Sequence, residues 1–393
     1  MEGFKFLDEE RQAGETYSEN ETPQSWINAA TANWMSYLPD EMLLRSISIP
    51  GTHDSAALYG GLAVQANSMN ITSQLNAGVR FLDIRTRRTK DALAIHHGSF
   101  FQHRMFGEVL EDIIIFLSQQ PKEVIVMRLK ADEHGAEKNS QDFATIWAYY
   151  MGRYGGCFAT STDANTTLKD VRGKIFLLAN SFTDSEHGIN YNDDNIFDTQ
   201  DLYKVYWLAG DGINWKDDKA HLPGKKKVVN QYLDKANTSD KWVRNYLSGS
   251  TGMAPSDVAR ATNGSAYKHI GINWGKRNMG IVITDFPGEK LLYRIIKSNF
   301  AGVKEHPAKT FRCESQHSWV EFRLPASKAG QIIEIPSGAY NHYVFPKCNR
   351  VRWSNLSFCC TNAGWQHTSG NWDADAKCHG SAGSSPYVFC GNR

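Results

Sequence analysis

The sequence predicts an α/β protein: a mostly parallel sheet, open or closed into a TIM-type β/α barrel, followed by a small all-β, cysteine-rich domain. Three observations carry this. Short apolar runs alternate with helical stretches from about residue 24 to residue 300, the pattern of a mostly parallel sheet. Polar groups recur just after those runs, and in a barrel the C-terminal strand ends form one rim. After Lys304 the helical periodicity stops, and short alternating segments between Gly, Ser, Asn and Pro turns take over.

Residues 1–23 are polar and read as a flexible N-terminal arm. Leu44–Ile49 alternates and predicts a strand closed by a turn at Pro50-Gly51. Val79–Ile84 and Leu93–His97 predict further strands. Val109–Leu117 has helical spacing closed by Pro121, and Glu123–Leu129 is a β-branched run. Alternation resumes at Asp170–Leu178 and ends with a strand at Gly280–Asp285 and a helix at Leu291–Ser298. The barrel is therefore assigned to 24–304, a length of about 280 residues that suits the architecture. Residues 305–393, with Trp319–Leu324 and Gln331–Ile335 as alternating segments, form the accessory β domain.

Composition excludes several classes. The chain has 393 residues, with 43 Lys plus Arg against 42 Asp plus Glu. That balance leaves no electrostatic footprint for nucleic acid. A hydrophobic fraction of 41% with 22% charged residues is that of a globular chain. No apolar run approaches the ~20 residues needed to cross a bilayer.

Cysteine position points to a compartment. Cys157 stands alone, whereas Cys313, Cys348, Cys359, Cys360, Cys378 and Cys390 crowd the C-terminal segment. An even set in a short segment indicates disulfides and an oxidising environment, with the pairing undetermined. A metal site is the rival reading, but no paired C-x-x-C occurs. Sequons at Asn20, Asn70, Asn165, Asn237, Asn263 and Asn355 agree with a secreted, extracellular protein. The first ten residues hold no apolar stretch of signal-peptide length, so that reading takes the numbering as a mature or leader-free form.

Two histidines, His53 and His97, follow different predicted strands on the rim. A pair of imidazoles can divide phosphoryl chemistry, one taking a proton while the other gives one to the leaving oxygen. An ordinary imidazole pKa near 6.5 lets one neutral and one protonated ring coexist. Arg85 suits non-bridging phosphate oxygens, Lys130 adds a second cation, and Asp54, Asp83 and Asp285 can orient the histidines and Arg85. One histidine alone is more often structural; polar groups at five strand ends together are not.

Ser48-Ile-Pro-Gly-Thr-His-Asp-Ser55, Gly78-Val-Arg-Phe-Leu-Asp-Ile-Arg85 and His96-His-Gly98 resemble the X-domain signature of phosphatidylinositol-specific phospholipases C. The small bacterial-type enzymes are the most similar. The resemblance continues through Pro121–Lys130, Arg172–Leu178, Gln200–Val205 and Ile281–Phe286, in order over about residues 24–300. It implies a distorted parallel barrel in which His53 is the general base and His97 the general acid. Asp285 would orient His53, Asp54 would partner His97, and Arg85 would hold the phosphate with Asp83 beside it. The products would be diacylglycerol and inositol 1,2-cyclic phosphate.

Calcium-dependent relatives need several oxygen ligands; here Arg85 stands in the ion's place, so the resemblance implies no metal and no cofactor. Lys130, Asp201 and Tyr203 match the headgroup-contacting positions. Asn180 stands where the bacterial enzymes carry an arginine, which removes a charge from headgroup selection; GPI anchors are a further expected substrate. Apolar residues for transient membrane adsorption are Leu58, Tyr59, Leu62 and Val64, with Phe100, Phe101, Met105 and Phe106 as a second group that packing explains equally well. In the appendage, Trp319, Trp353, Trp365 and Trp372 with Tyr340, Tyr343 and Tyr387 offer either a small core or a glycan- or lipid-binding face. A monomer is expected. The rivals are a divalent-ion-dependent phosphodiesterase (glycerophosphodiesterase or sphingomyelinase D-like) and a non-catalytic lipid- or glycan-binding barrel.

Overall fold

A computed structural model describes residues 16–18, 29–131, 136–160, 162–270 and 278–300, together with the backbone of short strands between residues 322 and 391. The chain divides into two compact units, one of them residues 13–301. In that unit the strands are β1 (Ile49–Thr52), β2 (Phe81–Thr89), β3 (Ala92–His97), β4 (Phe100–Met105), β5 (Ile125–Ala131), β6 (Ile175–Asn180), β7 (Gly188–Asn190) and β8 (Phe197–Gln200). They continue with β9 (Lys204–Tyr206), β10 (Ile213–Asn214), β11 (Lys219–His221), β12 (Trp242–Tyr246), β13 (Ser250–Thr251) and β14 (Ile281–Thr284).

Eight of them form one parallel path in the order β7-β6-β5-β2-β1-β14-β12-β8. This is a curled parallel sheet, a half-barrel consistent with a distorted TIM barrel. Among the described residues no ladder joins the end strands β7 and β8. Arg244 sutures that seam: its Nη1 donates to the Tyr191 carbonyl at 2.8 Å, and its guanidinium lies 3.7 Å from the Tyr191 ring centroid and 4.0 Å from that of Phe197. Strands β6, β12 and β14 are buried along their whole length, which explains why β6 and β14 read as nearly continuous apolar runs rather than alternating ones.

The helices supply the other half of the core. Phe106–Gln119 buries Phe106, Val109, Leu110, Ile113, Phe116 and Leu117, one face at helical spacing. Each large apolar side chain so covered contributes about 1.5–3 kcal/mol. Glu108 caps the helix by accepting from the Met105 amide at 2.7 Å. The helices Leu222–Lys235, Pro255–Ile270 and Glu289–Ser298 cover the β12 and β14 side.

Two expectations need correcting. Leu44–Ser46 is a 3-10 turn, and the strand begins only at Ile49, running through the Pro50-Gly51 expected to end it. Pro50 fits because its carbonyl still accepts from the Arg80 amide at 2.9 Å, while Gly51 is required because a Cβ there would lie 2.8 Å from Phe81. β3 is not a barrel strand. It pairs antiparallel with β2 and β4, so β2 overshoots the rim and β3 folds back to bring His97 down to it.

Residues 16–18, assigned to the flexible arm, pack onto the unit. Tyr17 is buried with its ring 5.4 Å from Phe286, and the Ser18 amide donates to the Phe286 carbonyl. Asn263, one of the sequons, is fully buried and so closed to a glycan. Beyond residue 321, Phe322–Arg323 pairs with Tyr343–Val344, and Tyr387–Gly391 lies between Ile332–Glu334 and Arg350–Trp353. The pairing of the six C-terminal cysteines lies outside the described residues. Cys157 is a free thiol.

Candidate active site

The site grows from the C-terminal ends of three adjacent strands. His53 follows β1 and donates its amide to the Thr284 carbonyl at 2.9 Å, which fixes it beside Asp285, the residue after β14. Asp54 and Phe286 then adopt left-handed backbone, φ +41° and +43°. Such strain in non-glycine residues persists only where neighbours enforce it. Asn67 does so, donating to the carbonyls of His53 and Asp54 at 2.9 and 3.2 Å. On β2, Asp83 and Arg85 are two apart and share one face. Their ladder partners on β5 are Arg128 and Lys130, and Lys130 is in turn paired with Asn180 on β6. That face collects all five polar groups.

The hydrogen bonds fix where the protons sit. His53 Nδ1 lies 2.9 Å from Asp285 Oδ1, and Arg85 Nη2 lies 2.6 Å from His53 Nε2. A guanidinium can only donate, so Nε2 holds a lone pair and Nδ1 donates its hydrogen to Asp285. His53 is thus neutral with its basic nitrogen facing the rim. Burial first, and Arg85 second, hold its pKa well below the ordinary imidazole value. Burial, reinforced by Asp54, pushes the Asp285 carboxyl well up.

His97 is oriented the same way from the other side. Its Nδ1 donates to the Val64 carbonyl at 2.7 Å, and Nε2 faces Asp54 Oδ2 at 3.3 Å. The rings of His53 and His97 stand 6.3 Å apart at 89°. Asp54 Oδ2 also pairs with Arg85 Nη1 at 2.9 Å. Burial raises the Asp54 carboxyl, with Arg85 and His97 opposing. At Asp83 burial acts in the same direction, but Arg128 and Arg85 outweigh it and keep that carboxyl ionised. Among the described residues no group of three His, Cys, Asp or Glu side chains is placed to hold a metal ion; guanidinium groups engage the carboxylates instead.

All six residues assigned to catalysis therefore meet: His53, Asp54, Asp83, Arg85, His97 and Asp285. The headgroup assignments divide. Asn180 is buried and joins the cluster by accepting from Arg128 Nη2 at 2.9 Å. Lys130 sits one ladder step from Arg85. Asp201 lies on the loop after β8, in the electrostatic field of Lys225 and Arg128. Tyr203 is exposed, its ring 5.5 Å from Lys204 Nζ.

Sequence reasoning missed four groups. Arg128 Nη1 donates to Asp83 at 3.2 Å and to the Tyr246 hydroxyl at 3.2 Å. Tyr246 and Tyr191 share a hydrogen bond of 2.6 Å between hydroxyls. Lys225, fully buried, donates to Gln200 at 3.1 Å. An arginine two residues before Lys130 in a β-branched run was the readable signal for the first; nothing local marks the others.

Of the apolar candidates, Tyr59, Leu62, Phe100 and Phe101 are exposed, Leu62 the most at 80%, but Val64 and Phe106 are buried. The Val64 carbonyl accepts from His97, and Phe106 packs on Trp147 and Tyr150. Trp207, Leu208 and Trp215, which had not been singled out, are exposed as well.

The comparisons agree with this geometry. Residues 44–181 match the X domain of phosphatidylinositol-specific phospholipase C. A 1-phosphatidylinositol phosphodiesterase of Listeria monocytogenes is 32% identical over 299 residues, covering 73% of this chain and 91% of the relative. One from Staphylococcus aureus is 30% identical, covering 70% and 96%. The solved structure of the phosphatidylinositol-specific phospholipase C from L. monocytogenes superposes with a TM-score of 0.58 at 34% identity, covering 68% of this chain and 98% of that one. The chain belongs to the phosphatidylinositol-specific phospholipase C family, a family of phosphodiester-cleaving enzymes.

Proposed function

We propose that the rim cluster cleaves phosphatidylinositol to diacylglycerol and inositol 1,2-cyclic phosphate, without metal or other cofactor. The observation that carries this is the pair of imidazoles facing each other on one rim, with His53 Nε2 toward Arg85 and His97 Nε2 toward Asp54. His53 Nε2 takes the proton of the 2-hydroxyl, whose oxygen attacks phosphorus and closes the cyclic diester. The imidazolium so formed is stabilised by Asp285. The P–O bond to the glycerol oxygen breaks, and the proton on the Asp54 side of His97 Nε2 passes to that oxygen. Arg85 leaves the His53 lone pair to meet the non-bridging oxygens, where its fixed charge opposes the charge developing in the transition state. Two guanidiniums, Arg85 and Arg128, already supply the cationic charge that a divalent ion brings elsewhere.

The exposed Tyr59, Leu62, Phe100 and Phe101 favour transient adsorption of a monomer to the lipid surface that holds this substrate. The same rim, if open to a glycosylated headgroup, would accept GPI anchors. The six C-terminal cysteines and the sequons support a secreted protein whose residues 305–393 form a disulfide-stapled β domain for glycan or lipid.

The test uses phosphatidylinositol and phosphatidylcholine vesicles with EDTA, followed by phosphorus NMR. Cyclic inositol phosphate is expected from the first lipid alone, and His53→Ala lowers the rate by about 10²–10⁴-fold. Dependence on a divalent ion, or undiminished cleavage by the variant, overturns the reading.

A further inference from the structure

Asp83 Oδ2 is shared. Arg85 Nη2 approaches it from one side and Arg128 Nη1 from the other, both at 3.2 Å. Arg128 is itself held on every side. Nη1 also donates to the Tyr246 hydroxyl, Nη2 donates to Asn180, and its guanidinium carbon lies 4.2 Å from the Tyr191 ring centroid. The residue is only 8% exposed, and burying a guanidinium at such cost calls for a purpose. Among the described residues its Nε has no hydrogen-bond partner, and the same holds for Arg85 Nε and Asp83 Oδ1. Buried polar atoms are normally satisfied. Three orphans in one constellation indicate that its final partners arrive with the substrate.

From this geometry, and resting on the function proposed above, we propose that Arg128 is a positioning residue that sets where Arg85 meets the phosphodiester. It pins Asp83 from the far side, and Asp83 is one of the two carboxylates on which Arg85 rests. Asn180, Tyr191 and Tyr246 fix Arg128 in turn. With Arg128 removed, Asp83 keeps one guanidinium partner instead of two, and Arg85 loses a defined seat. A misplacement of about 1 Å at a reacting group costs about 10²-fold in rate.

The experiment compares wild type, Arg128→Gln, Asn180→Ala and the double variant Arg128→Gln/Asn180→Arg. Position 180 shares the inward face with position 128, and Asn180 already reaches Arg128, so an arginine there can deliver its guanidinium to Asp83. The substrates are phosphatidylinositol and the two phosphorothioate diastereomers of a short-chain analogue. Their rate ratio reads which non-bridging oxygen the enzyme contacts. Arg128→Gln should lower kcat by about tenfold or more with KM little changed, and bring the ratio toward one. Asn180→Ala, a milder change that tests the idea should the first variant fail to fold, should move both in the same direction. The double variant should recover most of the kcat and the ratio.

An unchanged ratio in Arg128→Gln, or in Asn180→Ala if only that variant folds, overturns the proposal. So does a double variant that regains thermal stability but not kcat. If wild type itself cleaves none of these substrates, the function proposed above fails instead.

Discussion

Strand β2 has one arginine just before its start and another midway along it, and the two are treated in opposite ways. Just before its start, Arg80 is fully buried. It donates to Glu123 at 2.8 Å, to the carbonyls of Leu75 and Val79 at 2.7 Å and to that of Ala32 at 2.6 Å, and it lies 4.7 Å from the Phe116 ring centroid. Glu123 in turn accepts from the amides of Met35 and Ser36. Five residues later Arg85 has two carboxylates and a histidine lone pair, keeps an unpartnered Nε, and is 20% exposed in its side chain. Burial lowers the pKa of Arg80, whereas Asp54 and Asp83 outweigh burial at Arg85 and raise it. A buried charge whose donors are all used is a structural tie. One left incomplete is reserved for a ligand.

That contrast breaks first at the base of the barrel. Arg80→Ala leaves the Glu123 carboxylate buried without its counter-ion, a loss of about 3–5 kcal/mol. Arg85→Ala should melt close to wild type while losing about 10²–10³-fold in kcat. Parallel urea titrations and rate measurements check both, and equal destabilisation by the two changes would erase the distinction.

Lys225 is an intermediate case, buried with one side-chain hydrogen bond, to Gln200, among the described residues. Burial lowers its pKa from 10.5 to about 8, with Asp201 and Asp285 opposing. Between those values the unfolded chain binds the extra proton, so stability conferred at this site rises with pH. Relative to Lys225→Met, wild type should gain up to about 3 kcal/mol from pH 8 to pH 10.5. Denaturant midpoints across that window measure it, and a flat difference would place Lys225 with the fully satisfied groups.

The smallest expected effect sharpens the rim. Arg85 helps to hold the His53 pKa down, so Arg85→Met should let it rise toward the ordinary imidazole range. The acid limb of the residual kcat/KM profile then moves to higher pH. An unmoved limb would mean that burial alone sets the base.

The residues assigned to catalysis were legible because they lie on or just after strands that end at the rim: His53 and Asp54 after β1, Asp285 after β14, and Asp83 with Arg85 along β2. His97 was found for an incomplete reason. It reaches the rim through the antiparallel return of β3, which the alternation of Leu93–His97 does not distinguish from a parallel strand. The strand boundary at Pro50 was misread because proline and glycine usually mark turns. Here the next strand supplies what they lack: Arg80 donates to the proline carbonyl, and Phe81 occupies the space beside the glycine.

The sequence by itself determined which groups are available and the order in which strands and helices present them, since alternation and helical spacing are local properties of the chain. Only the tertiary structure decided which nitrogen of His53 is basic, that Val64 supplies a carbonyl to His97, and that Arg128, Tyr191 and Tyr246 stand behind Asp83. Those facts depend on residues far apart in the chain meeting where water is excluded. Proton positions and buried charge pairs follow from that meeting, which no local pattern encodes.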